Sequence, residues 1–169
     1  EITLNGRDIR TADAGALRSL RGKEVTYVAQ SAAASFNPAK RLMEQVIETS
    51  VSHGVMTKAE AEARAVSLFR QLSLPNPETI GDRYPHQVSG GQLQRVMTAM
   101  AMSCRPDILV FDEATSSLDS ITEEEITATI KDVSKLSEQI TILIAHRLST
   151  IRHADKIYVL EKGHIIEQG

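Results

Sequence analysis

The chain opens with alternating polar and apolar positions through Ile2-Thr3-Leu4 and then meets Asn5-Gly6, a dipeptide that favours tight reversal. A strand and a turn are expected there. After a mixed polar stretch, a second strand is expected over 25–29, ending on the amide of Gln30. Residues 31–38 are small and polar and close on Pro38, the pattern of a loop. Met43, Val46, Ile47 and Val51 then recur at helical spacing. Thr57 and Glu60 have capping-box spacing, in which each side chain satisfies a free backbone N–H of the other. The helix they start is expected to bury Ala65, Leu68, Phe69 and Leu72 and to end before Pro75 and Pro77.

From Ser89 onward the period alternates between helix and strand. Leu93, Val96, Met97, Met100, Ala101 and Cys104 form one helical stripe, closed by Arg105-Pro106, and its methionines read as core filler. Residues 108–111 are continuously apolar, as in a parallel strand covered on both faces. A helix starting near Thr122 is expected to bury Ile126, Ile130, Val133 and Leu136, and a further buried strand covers 140–145 before His146. Residues 157–160 and 165–166 flank Glu161-Lys162-Gly163 as a hairpin. Alternating strands and helices with short links imply an α/β fold on a mostly parallel sheet, with a helical block inserted between its strand-bearing parts. Both ends of the chain are strand-like, which reads as a piece cut from something longer.

Composition narrows the function classes. A length of 169 residues with 41% hydrophobic and 24% charged positions suits a single globular core. The net charge of -3 gives no basic excess, so nucleic acid is not an expected partner. Cys104 is the single cysteine, leaving no disulfide framework and no cysteine-based zinc cluster. No apolar run approaches the roughly 20 residues that span a bilayer, so any membrane role comes through a partner.

Four places carry candidate chemistry. Asp112 and Glu113 close an apolar strand at the edge where open α/β sheets bind ligands. Adjacent strand residues point to opposite faces, so one carboxylate can hold magnesium and the other can take a proton from water. Read blandly, the two are solvated acids at a strand end. Ser89-Gly90-Gly91-Gln92 opens a helix with two glycines, which suits close approach of a phosphate to backbone N–H groups and equally suits a plain N-cap. Gln30 is either a strand terminus facing water or a ligand contact. His146 can donate to a phosphate oxygen or can be structural.

The specific signal is their order. Gln30, Val88-Ser89-Gly90-Gly91-Gln92, the strand into Asp112-Glu113, Ser116-Ser117-Leu118-Asp119 and the strand into His146 resemble, in sequence, the nucleotide-binding domain of ATP-binding cassette (ABC) proteins. The matching motifs are the Q-loop glutamine, the LSGGQ signature with valine leading, the Walker B strand, the D-loop and the switch histidine. The resemblance implies a P-loop NTPase-like fold that is N-terminally truncated. It divides into ATPase core over 1–34, helical subdomain over 35–88 and core again over 89–169. It also implies a dimeric ATPase that uses ATP and Mg2+. Ser89, Gly90, Gly91 and Gln92 act on the nucleotide of a second ATPase subunit; Asp112 and Gln30 hold the metal. Glu113 polarises water, His146 contacts the γ-phosphate and Asp119 connects the two sites. Transmembrane permease subunits, a substrate-binding protein and a cytoplasmic position on the inner face of the cell membrane follow from the same likeness.

The family's Gly-x-x-x-x-Gly-Lys-Ser/Thr loop, which holds the β- and γ-phosphates, does not occur in these 169 residues. The chain by itself is therefore expected to bind ATP weakly and not to hydrolyse it. Ser35-Phe36-Asn37-Pro38, Tyr84-Pro85-His86 and Arg95-Val96-Met97 resemble peptide and nickel importer ATPases, whereas Ala114-Thr115-Ser116-Ser117 and 145–150 look more like exporters. Import is the favoured reading, because 31–87 carry the helical block that faces a membrane partner in the family. Two alternatives differ in class. One is a soluble ABC-type ATPase working on DNA or ribosomes, the other a non-catalytic binding module.

Overall fold

In a computed structural model of the chain, which describes residues 2–112, 128, 139–145, 151, 152 and 154–169, Asn5 and Gly6 both take positive φ (49° and 77°). A two-residue type I′ turn requires that conformation at both central positions, and these two residue types tolerate it. The turn joins β1 (Thr3–Leu4) to β2 (Arg7–Asp8) as an antiparallel pair. The Asn5 side-chain amide also donates to Glu24 and Asp107, at 3.0 and 2.9 Å, tying the hairpin to the starts of two later strands.

Two short helices lie in stretches expected as irregular. The polar stretch holds α1 (Ala14–Leu20), capped by the Asp13 carboxylate, which accepts the Ala16 N–H at 2.7 Å. The stretch expected as loop holds α2 (Ala32–Ser35). Its three alanines have the best helix propensity, and Ala32 and Phe36 are buried in the core. Neither helix is long enough to show a hydrophobic period.

The longer helices form where expected, with shifts. In α3 (Leu42–Ser52) the buried face is Leu42, Gln45, Val46, Ile47 and Ser50. Val51, expected inside, is exposed, because the inward stripe runs through Leu42, Val46 and Ser50 instead. The buried Gln45 amide orders the preceding loop. It accepts the Asn37 N–H at 2.8 Å and donates to the carbonyls of Asn37 and Lys40, both at 3.1 Å. The capping box of α4 (Lys58–Gln71) is complete, with Thr57 N–H on Glu60 at 2.8 Å and Glu60 N–H on Thr57 Oγ1 at 3.3 Å. The helix stops before its prolines. Ser73 takes φ 52° and its N–H bonds the Arg70 carbonyl, while Leu74 N–H bonds Phe69, the Schellman pattern.

The next helix, α5 (Gly90–Met102), is enclosed on more than its expected stripe. Gln94, Thr98, Ala99 and Met102 are buried with Leu93, Val96, Met97 and Ala101, whereas Met100 is half-buried. Cys104 lies past the helix end and is still buried, which pushes its thiol pKa up by desolvation. Arg64 of α4 reaches that end, donating Nε to the Ser103 carbonyl at 2.9 Å and Nη2 to Met102 at 3.0 Å.

Strands β3 (Val25–Val28), β4 (Ile108–Asp112) and β5 (Ile140–Ile144) form a parallel sheet in that order. The register sets Val28 beside Phe111 and Asp112 beside Ile144. On one face Val28, Leu109 and Phe111 join Val46, Phe69, Val96 and Met97 in a single buried cluster. The other face departs from the doubly covered strands expected. Ile108 and Val110 are half-buried, and Ile140, Ile142 and Ile144 are exposed. β6 (Tyr158–Glu161) and β7 (His164–Gln168) make the expected hairpin, with Lys162 and Gly163 at φ 49° and 81° in its turn. The helix expected from Thr122, with Ile126, Ile130, Val133 and Leu136, lies outside the described residues. No helix among the described residues is long and apolar enough to cross a membrane.

Candidate functional site

Parallel pairing brings the ends of β3 and β4 to one edge. Val28 is level with Phe111, so Ala29 and the exposed Gln30 leave the sheet next to Asp112. Asp112 shares a face with Tyr27, because Tyr27 pairs with Val110 and side chains alternate along a strand. The Tyr27 hydroxyl donates to Asp112 Oδ2. That bond, followed by desolvation and the nearby negative charge, raises the Tyr27 pKa. β5 delivers Ala145 to the same edge.

The chemistry of Gln30 and Asp112 fits a hard cation, since both offer oxygen ligands beside solvent. Among the described residues no three or more His, Cys, Asp or Glu side chains converge to hold a metal. An ion at Asp112 would take further oxygen from beyond these described side chains, with water among its ligands in the usual manner of Mg2+.

Ser89 stands at the N-cap of α5. Its Oγ accepts the Gln92 N–H at 3.2 Å, and Gln92 Oε1 accepts the Ser89 N–H at 3.1 Å. Both readings of the serine are thus compatible: its oxygen caps the helix, and its hydroxyl proton plays no part in that bond. Gly90 is exposed, and a Cβ built on it meets nothing within 4 Å. Glycine costs about 1 kcal/mol relative to alanine inside a helix, so folding of the described chain gives no reason for it here. The open space beside the first N–H groups of the helix leaves room for close approach of an anion. Gly91 and Gln92 follow, half-buried, in the first turn.

Glu113, Asp119 and His146 lie outside the described residues. Two participants escaped the sequence reading. Tyr27 meets Asp112 only through the register of two strands far apart in sequence. Gln94 sits within an apolar stripe, where its polarity was the one available signal. It is 2% exposed and donates Nε2 to the Ala29 carbonyl at 3.2 Å.

With this arrangement in place, comparison with known proteins decides the lineage. The sequence profile described as ABC transporter matches residues 1–116. The chain belongs to that family. The dipeptide transport ATP-binding protein DppD of Haemophilus influenzae is 37% identical over 169 residues, covering 99% of this chain and 51% of its own length. The metal-staphylopine import system ATP-binding protein CntD of Staphylococcus aureus is 34% identical over 170 residues, covering all of this chain and 63% of its own. The chain thus spans about half to just under two thirds of these ABC relatives. Among solved structures, a dimeric ATP-binding cassette in a post-hydrolysis state bound to ADP and Pi superposes with a TM-score of 0.83 at 24% identity. It covers 98% of this chain and 71% of that one. The α/β fold expected from sequence is accordingly the ABC cassette fold.

Proposed function

We propose that this chain is the ATPase part of a membrane ABC importer for peptides or metal chelates. The observation that carries the reading is the exposed N-terminus of α5, capped through Ser89 and Gln92, whose Gly90 has no packing contact in the described chain. A glycine there leaves room for a phosphate. The dipeptide and metal-staphylopine systems named among the relatives support the substrate class. In this proposal the ATPase core spans 1–34 and 89–169 and the helical subdomain spans 35–88, with the subdomain toward the permease.

In this reading Ser89 to Gln92 bind the γ-phosphate of ATP held by a second ATPase subunit. The serine hydroxyl and the first backbone N–H groups of α5 meet the charge. Asp112 and Gln30 hold Mg2+, which when bound neutralises charge on the β- and γ-oxygens. Glu113 accepts the proton of the attacking water, His146 donates to the γ-phosphate, and Asp119 joins the two sites. Phosphoryl transfer depends mainly on positioning and charge stabilisation, which suits a site completed only when subunits close. The chain works on the cytoplasmic side, docked on permease subunits, with a substrate-binding protein delivering the cargo.

The test is Glu113→Gln in the complete transporter. ATP turnover should fall to background while ATP-bound dimers accumulate on size-exclusion chromatography. Sustained hydrolysis would remove Glu113 from its role. Uptake by proteoliposomes of a dipeptide against a chelated metal then assigns the cargo.

A further inference from the structure

The Ala29 carbonyl sits where β3 has ended and Gln30 departs from the sheet. It accepts a hydrogen bond from Gln94 Nε2 at 3.2 Å, across 65 positions of sequence. Gln94 is 2% exposed and lies on α5 two residues after Gln92, inside the helix that carries the Ser89 cap. The Ala29–Gln30 peptide is planar, so fixing the direction of its carbonyl also fixes the Gln30 N–H and the first step of the chain beyond it. Gln94 is buried and Ala29 half-buried, so the amide in particular cannot exchange this bond for water cheaply. Around it α5 packs against β3 and α2, so helix and strand end are held on both sides of the bond.

We propose that Gln94 is a positioning residue that locks the orientation of Gln30 to the position of α5. A displacement of Ser89 to Gln92 on meeting a phosphate then reaches the metal side of the chain through one buried amide. This rests on the ATPase reading for the roles of Gln30 and Ser89, and adds the side chain through which they act on each other. Thr98, a buried neighbour on the same helix whose hydroxyl bonds the Gln94 carbonyl at 3.1 Å, has no such reach and serves as the comparison for merely structural damage.

Two measurements test it. In the 169-residue chain, Gln94→Met keeps length and helix propensity but removes the donor. It should shift the Gln30 amide resonance and speed its hydrogen exchange, whereas Thr98→Val should leave that amide in place. Gln94→Asn, too short to reach Ala29, should repeat the shift and serves if the methionine variant does not fold. In the complete transporter, Gln94→Met should lower turnover about fivefold, the scale of one lost hydrogen bond, with ATP half-saturation held. In a Gln30→Ala background it should cost nothing more, because the residue it acts through is gone. An unmoved Gln30 amide, or losses that simply multiply in the double variant, overturns the proposal. If Gln30→Ala alone leaves turnover intact, the ATPase role of Gln30 fails, and the amide shift by itself then upholds or overturns the link to α5.

Discussion

Gly90 and Glu60 show how much a single side chain, or its absence, weighs on folding at a helix start. At Gly90 a methyl group has open space, and alanine is the better helix former. Gly90→Ala should leave the chain as stable or raise it by up to about 1 kcal/mol, read from the urea midpoint at unchanged slope. On the proposed phosphate role of this helix end, the same variant in the complete transporter should weaken ATP-dependent dimer formation, because the added methyl crowds the first N–H groups. Glu60 behaves differently. The Thr57 hydroxyl and the Thr57 N–H both bond its carboxylate and lower its pKa. A carboxylate with a depressed folded pKa stabilises the fold above its unfolded value, and that contribution disappears as pH falls through the folded one. Urea midpoints taken on the acid side should therefore decline more steeply in the native chain than in Glu60→Gln, whose amide does not titrate.

Among elements, α5 is the one on which the others converge. It packs against α2, α3, α4 and β3. Its C-terminal carbonyls are satisfied by Arg64 of α4, a half-buried guanidinium that desolvation makes less basic without discharging it. Arg64→Ala should cost roughly 1.5–3 kcal/mol, the value of hydrogen bonds to a charged donor, measured by chemical denaturation. Thr57 with Glu60 was legible in the sequence, because a capping box is written within four adjacent residues. Ser89 was legible only as an N-cap, and its pairing with Gln92 came with the structure. Nor was the end of α4 legible. The prolines suggested a stop, yet the chain turns earlier at Ser73, where a left-handed residue and two carbonyl bonds close the helix. Likewise α1 and α2 are too short for periodicity, and packing of Leu20, Ala32 and Phe36 decides them.

For the whole molecule the decisive object is the core face of the parallel sheet. Phe111 is 2% exposed and sits one residue before Asp112, between the helices and the ligand edge. Phe111→Ala should cost about 3–5 kcal/mol, since the surrounding helices cannot close on the cavity, and a thermal or urea melt reads it directly. The same face explains why Asp112 is presented at all: packing of Leu109 and Phe111 inward turns Ile108, Val110 and Asp112 to the opposite side. That opposite side was expected to be covered, and among the described residues Ile140, Ile142 and Ile144 are exposed.

Local rules were enough for the turn at Asn5-Gly6, the capping box of α4, the buried stripe of α4 and most of that of α5, and the order of motifs that resembles the ABC transporter family. Each depends on residues within a few positions of one another, where backbone geometry leaves few choices. Meetings between distant segments were decided only by the tertiary structure. Register set Tyr27 beside Asp112, α5 brought Gln94 to the carbonyl before Gln30, and Arg64 reached the end of a helix almost 40 positions away. Such contacts depend on how strands align and helices pack, and no stretch of sequence contains both partners.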